Sequence, residues 1–129
     1  MVLQFNVKTD GKFKVAQNFE VKEFACKDGS EIVLIDEELA QILQIVRNYF
    51  KKATIINSGF RTISHNEKVK GEKGSYHTLG MAADFYVRGV AVSEVVNFLT
   101  KICGNSYGIG TYKDYIHIDT RRECARWTK

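Results

Sequence analysis

Two short stretches of this chain set metal-binding and acid–base side chains among apolar neighbours. In Ser75-Tyr76-His77-Thr78-Leu79-Gly80-Met81-Ala82-Ala83-Asp84, a histidine stands in a glycine-flanked loop, and an aspartate follows seven residues later in an apolar strand. An ionised carboxylate among Ala, Phe and Val is costly unless it is paired or holds a metal. In Tyr115-Ile116-His117-Ile118-Asp119, a histidine and an aspartate share one strand face while isoleucines take the other. Zinc accepts imidazole nitrogen and carboxylate oxygen at about 2.0–2.2 Å, and catalytic sites commonly combine three protein ligands with water. His77, Asp84 and His117 satisfy that rule. The open fourth position lets such a metal acidify water and polarise a carbonyl. Spacing alone leaves a second reading open, in which the histidines are structural and Asp84 is a buried hydrogen-bond acceptor.

The elements that must position these groups are legible in part. The segment to about Ser30 reads as a short strand or hairpin, with turns at Asp10-Gly11 and Asp28-Gly29, followed by an irregular packed stretch carrying Phe19, Val21 and Phe24. A helix is predicted from about Asp36 to Lys52, because Leu39, Ile42, Leu43, Val46, Tyr49 and Phe50 recur at helical spacing. Asp36 is its expected cap. Thr54-Ile55-Ile56 reads as a buried strand. Ser64-His65-Asn66-Glu67 fits a capping box opening a short polar helix to about Lys70, with His65 solvated and no ligand. Gly71 and Gly74 bracket a loop. Ala82–Val87 reads as a strand and Ser93–Cys103 as a second amphipathic helix, with Ser93 as cap and Gly104 after its end. Residues 107–112 and 115–119 read as strands around a turn at Lys113-Asp114, and residues 125–127 close the sheet. Helices and strands mix without βαβ regularity, which makes the class α+β.

Composition bounds the rest. A chain of 129 residues suits one domain, residues 1–129, that folds without disulfide staples. Three isolated cysteines, Cys26, Cys103 and Cys124, argue against a secreted disulfide framework and read as free thiols. The N-terminus lacks the apolar core of a signal peptide, and no run approaches the ~18 apolar residues of a membrane span. The expectation is synthesis in the cytoplasm without a signal peptide. A net charge of +4 and a pI near 9.0 favour anionic partners without selecting one.

The strings SGFR (58–61), SYHTLGMAAD (75–84), GIGTY (108–112), YIHID (115–119) and ARW (125–127) resemble, in the same order, those of the M15 zinc peptidases. That family includes D-Ala-D-Ala carboxypeptidases, phage L-alanyl-D-glutamate endolysins and VanX-type dipeptidases. The resemblance covers about residues 18–128. It implies an M15/Hedgehog-like fold, a small antiparallel sheet with flanking helices and a zinc site at the sheet. It also implies Zn2+ held by His77, Asp84 and His117. Arg61, in SGFR, resembles the arginine that binds substrate near the scissile carbonyl, where a guanidinium can stabilise a developing oxyanion. Ser75 either contacts substrate or holds its loop. Gly80 allows close backbone packing between two ligands. Some relatives place an acidic residue three positions before the last ligand, here Asp114, as general base. Strand alternation instead puts Asp119 on the face of His117, as base or as a partner of that histidine.

The implied function is zinc-dependent hydrolysis of amide bonds in peptidoglycan stem peptides, as an endolysin-like enzyme or a carboxypeptidase. The expected protein is a monomer with no nucleic-acid or membrane partner, acting on the bacterial wall after phage-type release. Two rival classes are a non-catalytic zinc-binding domain of the same fold and, on charge alone, a nucleic-acid-binding module.

Overall fold

Apolar runs make the strands, and apolar stripes make the helices that cover them. The computed structural model describes residues 1–129. The chain begins with β1 (Val2–Asn6), α1 (Val7–Asp10), β2 (Lys14–Ala16), β3 (Phe19–Glu20) and a 3-10 turn (Val21–Phe24). It continues through β4 (Ile32–Asp36), α2 (Glu37–Phe50), β5 (Thr54–Ser58), α3 (Ile63–Lys68) and a second 3-10 turn (Tyr76–Leu79). It ends with β6 (Ala82–Val87), α4 (Val92–Cys103), β7 (Gly108–Thr111), β8 (Ile116–Asp119) and β9 (Ala125–Thr128). No helix is long and apolar enough to cross a membrane.

The main sheet has strand order β5-β6-β8-β7-β9, flanked by two two-stranded ladders, β1-β4 and β2-β3. The main sheet is antiparallel except at its edge, where β9 runs parallel to β7. The expected small antiparallel sheet is present, with this one parallel edge in addition. The chain leaves β8 at Asp119 and passes to the far side of β7 before pairing, so β9 runs antiparallel to β8, as a hairpin strand would, but lies parallel to its actual neighbour β7.

One face of the sheet is apolar. Ala83 and Phe85 of β6, Ile116 and Ile118 of β8 and Ile109 of β7 are all essentially inaccessible. They belong to one cluster with Leu39, Leu43 and Val46 of α2 and with Val95 and Leu99 of α4. The predicted stripe on α2 is therefore real, although Tyr49 at its end is exposed and stacks on Phe98 with ring centroids 4.0 Å apart.

Local signals misled in three places. Residues 32–36 form a strand paired with β1, which the helix signal at Asp36 obscured. Asp36 is the N-cap residue but its side chain does not cap; the carboxylate accepts a hydrogen bond from Thr120 Oγ1 at 2.5 Å. The cap of α3 is Thr62, whose hydroxyl accepts from His65 N, so the helix starts ahead of the expected Ser64 box. Helix α4 likewise starts at Val92, with Ala91 at the cap position in place of Ser93.

Candidate active site

The polar face of the sheet is built from one row of residues crossing all five strands. The register aligns Ser58, Asp84, His117, Gly110 and Trp127 in turn. Ser58 reaches this face through an irregularity. Ile56 pairs with Phe85 while Ser58 pairs with Asp84, so an extra residue in β5 switches its side chains between faces. In β7 the site face carries no side chains. A Cβ on Gly110 would stand 2.5 Å from the Trp127 indole, and one on Gly108 would stand 2.5 Å from Asp119 Oδ2. The missing side chains let Trp127 lie across β7 to within 5.2 Å of the His117 ring, centroid to centroid.

His77 arrives from outside the sheet, on the 3-10 turn before β6. Ser75 Oγ accepts from His77 N at 3.2 Å, and Thr78 Oγ1 donates to Ser75 O at 2.6 Å, which fixes that turn. Gly80 ends it at φ +75°, with Leu34 of β4 where a Cβ would be, so the close packing expected of this glycine is against β4.

The hydrogen bonds set the imidazole orientations. His77 Nδ1 lies 2.7 Å from the Gly59 carbonyl oxygen, and His117 Nε2 lies 2.7 Å from Asp119 Oδ2. Both partners accept, so these outer nitrogens carry the protons, and in the neutral rings His77 Nε2 and His117 Nδ1 carry lone pairs. Both lone pairs face Asp84 Oδ1, at 3.3 and 2.9 Å. Electron pairs so arranged repel unless a metal ion or an added proton stands among them. Burial disfavours a charged Asp84, but His117 and His77 outweigh it and hold its carboxyl well below the usual carboxylate range. Burial likewise opposes the imidazolium of His117, yet Asp119 and Asp84 raise its pKa.

This donor set fits zinc. The three ligand atoms lie within 4.8 Å of one another. Donors about 2.0–2.1 Å from a tetrahedral centre stand roughly 3.3 Å apart, close to the 3.3 and 2.9 Å that separate Asp84 Oδ1 from the two ring nitrogens. Each histidine also has the outer hydrogen bond that metal-bound imidazoles use to fix their orientation.

Arg61 lies beside the trio. Its Nη2 donates to Asp84 Oδ2 at 3.3 Å, its Nε to Ser58 Oγ at 3.0 Å and its Nη1 to Asn66 Oδ1 at 3.2 Å. Asn66 is buried on α3, and its Nδ2 donates to Glu72 O at 2.8 Å, tying Arg61 to the loop that walls the site. That loop needs Gly71, where a Cβ would fall on Asn66 Oδ1. Asn66 was hidden in the sequence because its helix reads as polar and solvated.

The remaining candidates separate. Asp119 is fully buried, and both of its oxygens are engaged: Oδ1 by Arg121 Nε at 2.8 Å, Oδ2 by His117 and by Arg121 Nη2 at 2.7 Å. Burial opposes its ionisation, but Arg121 and His117 hold the carboxyl well below its usual range. Asp114 is exposed in the β7–β8 turn and does not line the cleft, so the fold does not bring it to the trio. His65 also lies outside the cleft, while Arg61 and Ser75 line it. The cleft itself is open, with a volume of about 680 Å³, and Tyr76, Tyr112, Tyr115, Arg121 and Trp127 form much of its wall. Sequence reasoning missed this wall. The one available signal was ARW, whose tryptophan faces the glycines of GIGTY.

The chain is similar to known peptidases. Peptidoglycan L,D-endopeptidase MepK of Escherichia coli strain K12 is 31% identical over 75 residues, which cover 54% of this chain and 41% of that protein. The MepK proteins of Escherichia coli O157:H7 and Shigella flexneri match to the same extent. The chain thus spans about two fifths of the length of these curated relatives. A family model described as Peptidase M15 matches residues 17–119, a stretch that contains His77, Asp84 and His117, and the chain belongs to the M15 peptidase family.

Proposed function

We propose that this chain is a zinc-dependent peptidase that hydrolyses amide bonds in peptidoglycan stem peptides. One observation carries the reading: the inner nitrogens of His77 and His117 converge on Asp84 Oδ1 in the floor of an open cleft. The wall-peptide substrate is supported by the name of the MepK relatives.

His77, Asp84 and His117 would hold the metal. Zinc bound there supplies Lewis acidity, lowering the pKa of water and polarising a carbonyl. The chain's own residues do the rest. Arg61 sets a guanidinium against the floor of the cleft, held by Ser58 and Asn66, where it stabilises negative charge developing on the carbonyl oxygen. Asp119 keeps the His117 proton on Nε2 and thereby directs Nδ1 inward. It offers no free oxygen, so it acts through His117 and takes no proton from water.

The proton acceptor in this proposal is Asp114. It sits in the turn between Tyr112 and Tyr115, both of which line the cleft, and the proposal requires that turn to move toward the trio when substrate binds. Acid–base contacts that are long in a free enzyme commonly tighten in the substrate complex.

The test is mass spectrometry of fragments released from purified peptidoglycan, with and without chelator. The proposal expects fragments cut at stem-peptide amides, none in chelator, and recovery on adding zinc. Loss of a single terminal alanine would mark a carboxypeptidase, and larger pieces an endopeptidase. Release indifferent to chelator would overturn the zinc dependence, and no release at any zinc concentration would overturn the proposal and favour a non-catalytic zinc-binding domain.

A further inference from the structure

Arg121 lies beyond the stretch matched by the family model, yet it lines the cleft. A guanidinium has five N–H donors arranged in a planar fork. Here Nε and Nη2 donate to the two oxygens of Asp119 at 2.8 and 2.7 Å, while Nη1 makes no hydrogen bond within the protein. No buried side-chain nitrogen or oxygen lacks a partner, so Nη1 is accessible to solvent, on a side chain that lines the cleft. The fork cannot swing freely. Its carbon lies 4.6 Å from the Tyr76 ring centre and 5.4 Å from that of Trp127, so both rings pack against it.

The surrounding charge points the same way. Among the charged residues lining the cleft, Arg61 is paired with Asp84 and Arg121 with Asp119. Lys70 and Lys73 are then opposed by Glu72 alone. A wall with this excess draws anions. A fixed, planar guanidinium edge matches the two oxygens of a carboxylate better than a lysine does.

We propose that Arg121 is a substrate-reading residue: its open edge binds a free carboxylate on the peptide lying in the cleft, which makes acidic peptides the preferred substrates. The peptide nature of the ligand rests on the peptidase reading above. The carboxylate preference rests on the open guanidinium edge and the charge of the wall. Arg121 therefore has two edges with two duties, one holding Asp119 behind His117 and the other facing substrate.

Trp127 is the only tryptophan, so its fluorescence reports on this wall without requiring turnover. Zinc-loaded protein is titrated with two N-acetylated, C-terminally amidated tripeptides, Ala-Glu-Ala and Ala-Gln-Ala, each made with a D or an L central residue. A charge-assisted hydrogen bond of this kind is worth roughly a tenfold to hundredfold preference for the glutamyl peptide. Arg121→Gln should bring that ratio close to one. Arg121→Lys, which keeps the charge without the planar edge, should give an intermediate ratio and stands in should Arg121→Gln fail to fold. Zinc content is measured in each variant, because loss of Asp119 support lowers metal affinity without altering the ratio between peptides at saturating zinc. Equal affinities in the unmodified protein, a ratio retained in Arg121→Gln or Arg121→Lys, or no response to either peptide would overturn the proposal. Selective binding with no release from peptidoglycan would leave this inference standing and sink the peptidase reading alone.

Discussion

The two faces of the five-stranded sheet share one backbone but obey different rules. On the helix-covered face, Phe85, Ile116, Ile118 and Ile109 are buried among other apolar side chains, and any side chain of similar size and shape would serve. On the cleft face, Asp84, His117 and Trp127 are fixed by individual partners: a guanidinium, a carboxylate, the space above a glycine. The alternation of a β-strand delivers both at once, since Ala83 of β6 is followed by Asp84, and Ile116 and Ile118 of β8 are followed by His117 and Asp119. The difference teaches that burial on the two faces has opposite meanings. Phe85 is buried because water rejects it, and Asp119 is buried because three donor groups hold it there.

Substitutions can separate the faces. Phe85→Ala should cost about 3–5 kcal/mol of stability through the cavity it leaves, read as a lowered denaturation midpoint. Loss of activity there should track unfolding alone. A midpoint unchanged in that variant would mean the helix-covered face is not the core.

Asp114→Asn should lower turnover by roughly 10²–10⁴ at saturating zinc while leaving metal affinity and stability unchanged, as expected for a proton acceptor. Glu72→Gln is its control, because Glu72 is the carboxylate that lines the cleft without a protein partner for its side chain. A silent Glu72→Gln protein beside an active Asp114→Asn protein would move the proton acceptor to the cleft wall.

Arg61→Ala should fold and keep zinc, with turnover falling roughly 10²–10³. Near-unchanged kcat/KM would return Arg61 to a purely structural role in tying Ser58, Asn66 and Asp84 together. Asp119→Asn should be milder still and different in kind, weakening zinc binding roughly 10–100-fold, with activity partly restored by excess metal. Dead enzyme at full zinc occupancy in Asp119→Asn would make it the proton acceptor after all.

The same contrast explains what the sequence discloses. The core face is written in periodicity, so α2, β6, β8 and much of α4 are legible from Leu, Val and Ile spacing alone. The chemistry of the trio is legible because a histidine and a carboxylate inside apolar runs demand a reason. Its completion is not. The irregularity that turns Ser58 toward the cleft, the parallel pairing of β9 and the bond from Asn66 to Arg61 depend on segments far apart in the chain. Asp36 shows the cost of reading locally: the residues around it signal a helix cap, while its side chain serves Thr120, 84 positions away. Asp114 is the reverse case, a residue chosen by resemblance that the folded chain holds outside the cleft.

The account stands on the metal trio, and the most direct measurement is the zinc content of the purified chain beside that of Asp84→Ala after equilibration with zinc and removal of the excess. Asp84 is the residue on which both histidines converge. The account predicts about one zinc per chain in the unmodified protein, the number one open catalytic site would hold, and almost none in Asp84→Ala. Full occupancy in Asp84→Ala, or no zinc in the unmodified protein, would contradict it.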